Sequence, residues 1–208
     1  MRRKVDHAQR RREIVSESLR LFGQKGYAGV NFGMIARSCR ISRTALYAYF
    51  KDKRAIFNEA IDEATSRIEA KYAEITHNKE RAGAKLRQIC ITVLSILFNY
   101  RDFVCVISDY LAGLRRTSKI PVQYVKRHTI GLKRIMHSLI VEAKARGEYP
   151  EELDVRKAVA LIYTQFEATA MRITMTGGAD LAEAIDRVDS ILKGLGYVER
   201  RRNNAVKA

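Results

Sequence analysis

Apolar positions recur along almost the whole chain at intervals of three and four. Nowhere do they alternate with polar ones over a strand's length, so the pattern predicts helices throughout. Over residues 8–25, Ile14, Val15, Leu19 and Phe22 make one stripe, and Gly26 suits a left-handed stop. A short helix over 32–39 follows Asn31, whose side chain suits an N-cap. The turn at 39–42 leads into a third short helix, 43–50, with Ser42 as its cap. A long fourth helix starts after Asp52, with Phe57, Ile61, Ala64, Ile68, Tyr72 and Ile75 in line, and the polar run 77–83 breaks it. Helices over 84–99 and 102–116 follow. The next runs from 122 to 146, closed by Gly147 with Pro150 beyond. An eighth runs from its cap Asp154 to 176, and a ninth from its cap Asp180 to 193, with the turn "GGAD" between them. Residues 194–208 read as a frayed basic tail.

The predicted fold class is therefore all-α with nine helices: an N-terminal unit of three short helices, then a larger helical region. Helices of about eight residues do not persist alone, so the first three must pack on one another and on the start of the fourth. The longest apolar stretch, 89–98, is too short to span a bilayer. The basic N-terminus has no apolar segment behind it, so no signal peptide and no membrane partner are expected. Cys39, Cys90 and Cys105 have neither metal-ligand spacing nor an even count, and a reducing cytoplasm is the expected location. Cys90 and Cys105 read either as a redox pair or as buried structural thiols. His128 and His137 have no Cys or carboxylate at metal spacing. No Gly-rich phosphate loop, nucleophile elbow or convergent acid–base set is present, so the chain reads as no enzyme, with no catalytic residue, metal or cofactor.

Charge narrows the picture. Lys and Arg number 39 against 23 Asp and Glu, a net +16. Such an excess suits a polyanionic partner or serves solubility alone. The segment "SRTALYAYFKDK" (42–53) weighs on that choice. On a helix, Leu46 and Phe50 point inward together, Thr44, Ala45 and Ala48 face out, and Tyr47 and Tyr49 sit on the shoulders. Arg43 lies at the N-terminal end; Lys51 and Lys53 follow, the latter near a helix N-terminus that attracts phosphate. Any short amphipathic helix can carry two tyrosines. This one stands after helix, Asn cap, helix and turn, which is helix-turn-helix order, with the second helix suited to the major groove.

Residues 10–61 resemble the TetR family of transcriptional regulators. "LFGQKGY" is similar to the end of that family's first helix, "MIA" stands where the second carries an Ile-Ala pair, and "ISRTALYAYFKDKRAIF" resembles its most recognisable segment. The resemblance implies a homodimer with a DNA-binding domain over 7–67, including the start of the fourth helix, and a ligand-binding and dimerisation domain over 68–208. Carried over by position, it implies Asn31 at the cap of the second helix, Arg43, Thr44 and Ala45 at bases, and Tyr47, Tyr49 and Lys53 at phosphates, with Lys51 beside them. Two positions depart from the family. Arg40 stands where Gly is usual; a left-handed backbone there costs about 1 kcal/mol or a little more, which a reach to phosphate would offset. Gly33 stands where Arg is frequent.

In the second region Val155, Val159, Ile162, Phe166 and Ile173 form one stripe of the eighth helix, and Leu161, Ala168, Met171 and Met175 another. Leu181, Ile185, Val188 and Leu192 line the ninth. Two stripes mean either a partner subunit on one side or a central place within the monomer; the resemblance implies a dimer interface. Tyr72, Ile89, Val93, Phe103, Ile107, Tyr110, Tyr124, His128, Tyr163 and Phe166 are candidates to line a mostly apolar pocket. The whole reads as a dimeric repressor on a palindromic duplex operator, released by a small apolar or amphipathic effector. A ligand-independent architectural or constitutive regulator is the alternative.

Overall fold

The computed structural model describes residues 6–116 and 122–197; within these, the side chains at 64, 67, 112–116 and 122–128 lie outside the description. Among the described residues there are nine helices and no strand. They are α1 His7–Gly29, α2 Phe32–Ser38, α3 Arg43–Tyr47, α4 Lys53–His77, α5 Ala82–Asn99, α6 Arg101–Arg116, α7 Val122–Ala145, α8 Val155–Thr176 and α9 Leu181–Gly194. The tail beyond residue 197 lies outside the described residues.

Local chemistry accounts for most of these bounds. Asp6, Asn31, Ser42, Asp154 and Asp180 each accept a hydrogen bond from a first-turn N–H of the helix they precede. Gly26 breaks α1 at φ 67°, ψ 160°, and a short helical piece carries on to Gly29. Gly177, at φ 61°, closes α8. The helix expected over 43–50 is shorter in the structure. It ends at Tyr47, and the Tyr49 N–H bonds three residues back to the Leu46 carbonyl (3.0 Å), a tighter final turn.

The chain divides into two compact units. The first joins residues 1–71 with 100–121, so it takes in α6, a helix inside the expected 68–208 region. Its core is aromatic. Phe22 and Phe57, both fully buried, meet edge-on at 5.6 Å, and Tyr27 lies 5.0 Å from Phe57 and 4.6 Å from Tyr110 of α6. Ile35 of α2 and Leu46 of α3 are fully buried in the same cluster.

The second unit joins residues 72–99 with 122–208. Ile89, Cys90, Met136, Ile140, Ile162 and Val188 are fully buried in it. Burial pushes the Cys90 thiol up to about 12, which makes it an inert structural thiol. Glu148, 1% exposed, accepts from the Gly83 N–H at the start of α5 (2.9 Å), while the Lys85 ammonium holds the Thr76 carbonyl near the end of α4 (2.9 Å). Arg87 of α5 grips Asp189 of α9 through two bonds of 2.7 Å. Among the described residues no single helix is long and apolar enough to cross a membrane.

Because Phe57 touches Phe22, Tyr27, Phe103 and Tyr110, the Phe57→Ala substitution is expected to lower unfolding stability by about 3–5 kcal/mol. Urea unfolding followed by circular dichroism measures this. A loss below about 1 kcal/mol would show that these rings are not the centre of the first unit.

Candidate nucleic-acid interface

α3 and the turn that follows it present two chemically different faces. Leu46, fully buried, and Phe50, 2% exposed, anchor it, while Arg43, Thr44, Tyr47 and Ala48 face solvent. Tyr47 is 51% exposed yet fixed: its ring lies 4.7 Å from Phe32, and the Arg43 guanidinium stands 6.0 Å above it. An exposed phenol next to small side chains and a cation is a surface that a duplex can approach closely. Ala45 is half-buried and less available than the helical wheel implies. Tyr49 is also half-buried, packed on the core and 5.6 Å from the His7 ring. Lys51 is exposed.

Asn31 is committed to its cap: its side-chain oxygen accepts from the Met34 N–H at 2.9 Å. Its amide NH2 remains a donor for an outside acceptor. Arg40 has a left-handed backbone, φ 54°, and no other non-glycine described residue has a positive φ. That conformation costs about 1–2 kcal/mol for an L-residue.

Lys53 is engaged within the protein. Its ammonium is bound to two backbone carbonyls, Tyr27 O at 2.8 Å and Val30 O at 2.7 Å, and lies 4.5 Å from the Tyr27 ring. Partial burial lowers its pKa by desolvation. Lys53 thus ties the start of α4 to the end of α1 and the residue after it, and two of its three donors are spent within the protein. Sequence could not reveal this, because its acceptors are backbone atoms 26 and 23 residues away.

Two further arginines were missed for the same reason. The Arg11 guanidinium pairs with Glu59, 48 residues away, donates to the Tyr49 carbonyl and stacks 4.1 Å over Phe50, bracing the end of the recognition segment from below. Arg10 donates to the Cys39 carbonyl at 2.8 Å, just past the end of α2.

The pocket and dimer candidates separate as follows. Phe103, Ile107 and Tyr110 pack in the aromatic core of the first unit, a correction to their expected place on a pocket wall. Tyr72, Ile89, Val93 and Phe166 are buried in the second unit. Tyr163 there shares a hydrogen bond of 2.9 Å with Thr129 and lies under the Lys133 ammonium at 4.0 Å. The side chains of Tyr124 and His128 lie outside the described residues. On α8, Leu161, Met171 and Met175 are 49%, 60% and 71% exposed, and Ala168 on the same stripe is exposed too. On α9, Leu181 and Ile185 are half-buried. Val188 and Leu192, at 0% and 3% exposure, belong to the chain's own core, which corrects their expected place in an interface between subunits.

Comparison with known proteins bears on this surface. Residues 14–60 match the family of bacterial regulatory proteins, tetR family. Over 161 residues the chain is 32% identical to the HTH-type transcriptional regulator AcrR of Shigella flexneri, covering 68% of this chain and 74% of that protein. Among solved structures, a TetR transcription regulator from Haloarcula marismortui superposes with a TM-score of 0.80 at 14% identity, covering 90% of this chain and 98% of that one. The transcriptional regulator FadR from Bacillus subtilis, in complex with stearoyl-CoA, superposes with a TM-score of 0.70 at 24% identity, covering 88% and 96%.

Lys53→Ala is expected to lower unfolding stability by about 1–3 kcal/mol, since two carbonyls lose a charged donor. Arg43→Ala is expected to leave stability within about 0.5 kcal/mol, as an exposed residue with no ion pair among the described residues. Thermal and urea unfolding of the two variants checks both; equal stability losses would put the assignment of Lys53 as a structural tie in error.

Proposed function

Since the chain belongs to the tetR family of bacterial regulatory proteins, whose members are DNA-binding transcriptional regulators and not enzymes, we propose that it is a dimeric repressor that leaves a palindromic operator when a largely apolar or amphipathic effector binds. In this reading residues 7–67 bind DNA, and residues 68–208 bind the effector and the second subunit.

One observation carries the reading: α3 and the turn after it bury Leu46 and Phe50 and turn Arg43, Thr44, Tyr47 and Ala48 outward. Arg43 and Thr44 read base edges, Ala45 lets the backbone approach, and Tyr47, Tyr49 and Lys51 hold phosphate. Asn31 holds phosphate through its free amide NH2. Selection of bound fragments from random duplexes tests this. A palindromic consensus is expected, with log K falling against log salt by about 0.9 per phosphate contact. Equal affinity for selected and scrambled duplexes at moderate salt would reject it. Arg43→Ala is expected to relax preference at one base pair, costing about 1–3 kcal/mol there.

The dimer reading rests on α8. Leu161, Ala168, Met171 and Met175 recur at steps of seven, three and four and form an exposed apolar stripe that a second copy would cover. Met171→Asp is expected to give a folded monomer with an unchanged circular-dichroism spectrum, because Met171 is 60% exposed within its own chain. A dimer by light scattering for this variant would move the interface elsewhere.

For the effector, the field of a chain of net charge +16 favours an anion, and an acyl chain suits aliphatic and aromatic walls. The FadR structure in complex with stearoyl-CoA is compatible with that class. A regulator without an effector is the second reading. It is favoured by the burial of Tyr72, Ile89, Val93 and Phe166, none more than 8% exposed. Titrating acyl-CoA thioesters with and without operator separates the two. A reciprocal weakening of about 1–3 kcal/mol is expected for the first reading, and no binding for the second.

A further inference from the structure

A glycine turns the end of α9 back onto its own unit. Gly196 has φ 87°; its N–H bonds to the Lys193 carbonyl at 2.9 Å, and the Tyr197 N–H reaches the Leu192 carbonyl at 3.3 Å. This is the paired bonding of a Schellman stop, which redirects the chain after the last helical turn. Residues 195–197, expected to begin a frayed tail, are half-buried instead. The Tyr197 ring lies 5.5 Å from that of Tyr149, which is 4% exposed, and a Cβ built on Gly196 would come within 2.8 Å of Pro150. The same Tyr197 ring covers Gly83, in the first turn of α5, so closely that a Cβ there would overlap it.

Other bonds converge on this corner. Glu148, next to Tyr149, accepts the Gly83 N–H at 2.9 Å and stands 3.4 Å from the Arg81 guanidinium. Lys85, two residues after Gly83, holds the Thr76 carbonyl in the last turn of α4 at 2.9 Å. The loop carrying Glu148 and Tyr149 is itself braced, by the Glu148 N–H on the Ala143 carbonyl and the Lys144 ammonium on the Leu153 carbonyl. Tyr197 is thus seated between a braced loop and the start of α5, and α5 in turn holds the end of α4. All these residues belong to the second unit. α4 reaches further: it is one helix from Lys53 to His77, and its residues up to Lys71 belong to the first unit.

We propose that Tyr197 is a C-terminal latch: seated on Gly83 and Tyr149 it fixes the corner between α4 and α5, and its release frees the last turn of α4 and weakens operator binding. The last step rests on the DNA-binding reading above. Its direction follows from ordering entropy. Lys53 ties the first residue of α4 to the end of α1, beneath the DNA-reading surface. A helix whose far end is loose has freedom that DNA binding must remove, and affinity falls by that cost. The latch supplies no contact to DNA, so base preference and salt dependence are untouched.

The test uses the full chain, the selected operator and a double-mutant cycle. Tyr197→Ala removes the ring. Gly83→Ala evicts it by placing a methyl group where it sits, although alanine is otherwise the better helix residue. Each variant is expected to lower the melting temperature by about 3–6 °C. Each should also speed amide exchange at residues 73–83 and weaken the operator by about five- to tenfold at an unchanged salt slope. In the Tyr197→Ala background, Gly83→Ala is expected to change sign and raise the melting temperature. Additive losses would show that the ring is not seated on Gly83. Parent-like exchange at 73–77, or parent-like operator affinity, in the two single variants would reduce Tyr197 to local packing and overturn the latch. A flattened salt slope would overturn it too, because a phosphate contact would then have been lost. If the parent chain selects no duplex, the DNA-binding reading fails, and the melting cycle with exchange at 73–77 still decides whether Tyr197 holds the end of α4.

Discussion

Helices of seven and five residues have no stability of their own, so the outward surface of α3 exists only as long as the core beneath it does. That core is a set of rings: Phe22 and Phe57 edge to face, Tyr27 against both, and Tyr110 closing on Tyr27 and Phe57. The rings set the backbone of Tyr27, and the Tyr27 and Val30 carbonyls in turn receive the Lys53 ammonium. From the other side Arg11 holds the Tyr49 carbonyl and Glu59. The C-terminal side of this segment is therefore held by two cations whose partners lie in distant sequence. Its geometry is a consequence of buried aromatic packing, not of helix propensity.

This division of labour explains what a reader of the sequence can and cannot see. Caps are local chemistry, so Asn31, Ser42, Asp154 and Asp180 announce their helices from within three residues. The inward pair Leu46 and Phe50 follows from periodicity alone. Lys53 and Arg11 look like surface cations, because nothing in a window of a few residues marks their partners. Phe103, Ile107 and Tyr110 have the apolar spacing of a pocket wall. That spacing does not say which body they join, and they pack on Phe57 and Tyr27. The helix expected to reach residue 50 stops at Tyr47, where the Ala48 and Tyr49 N–H groups bond three residues back, although the Phe50 N–H still reaches the Leu46 carbonyl four residues back.

The same limit applies in the second unit. Both stripes of α8 are legible, but periodicity cannot tell the one facing the core from the one left outside. Ile162, fully buried, and Leu161, 49% exposed, are adjacent and equally apolar. On α9 the four apolar positions divide, with Val188 and Leu192 filling the core and Leu181 and Ile185 at its margin. An apolar residue's destination depends on where its neighbours lie, and only the packing states that.

Charge provides the last link from fold to partner. In residues 1–61 there are fourteen Lys and Arg and five acidic residues. Every one of the five is engaged within the protein: Asp6 and Asp52 accept helix N–H groups, while Glu13, Glu17 and Glu59 pair with Arg10, Arg20 and Arg11. Internal satisfaction of the acids leaves Arg12, Arg37, Arg40, Arg43 and Lys51 without acidic partners among the described residues. A surface built this way attracts a polyanion because the fold has consumed the counter-charges that would otherwise screen its cations. The ion pairs of α1 are individually weak contributors to stability, being largely exposed. Their larger effect is on where positive charge remains unopposed, and that is around the turn and the face of α3.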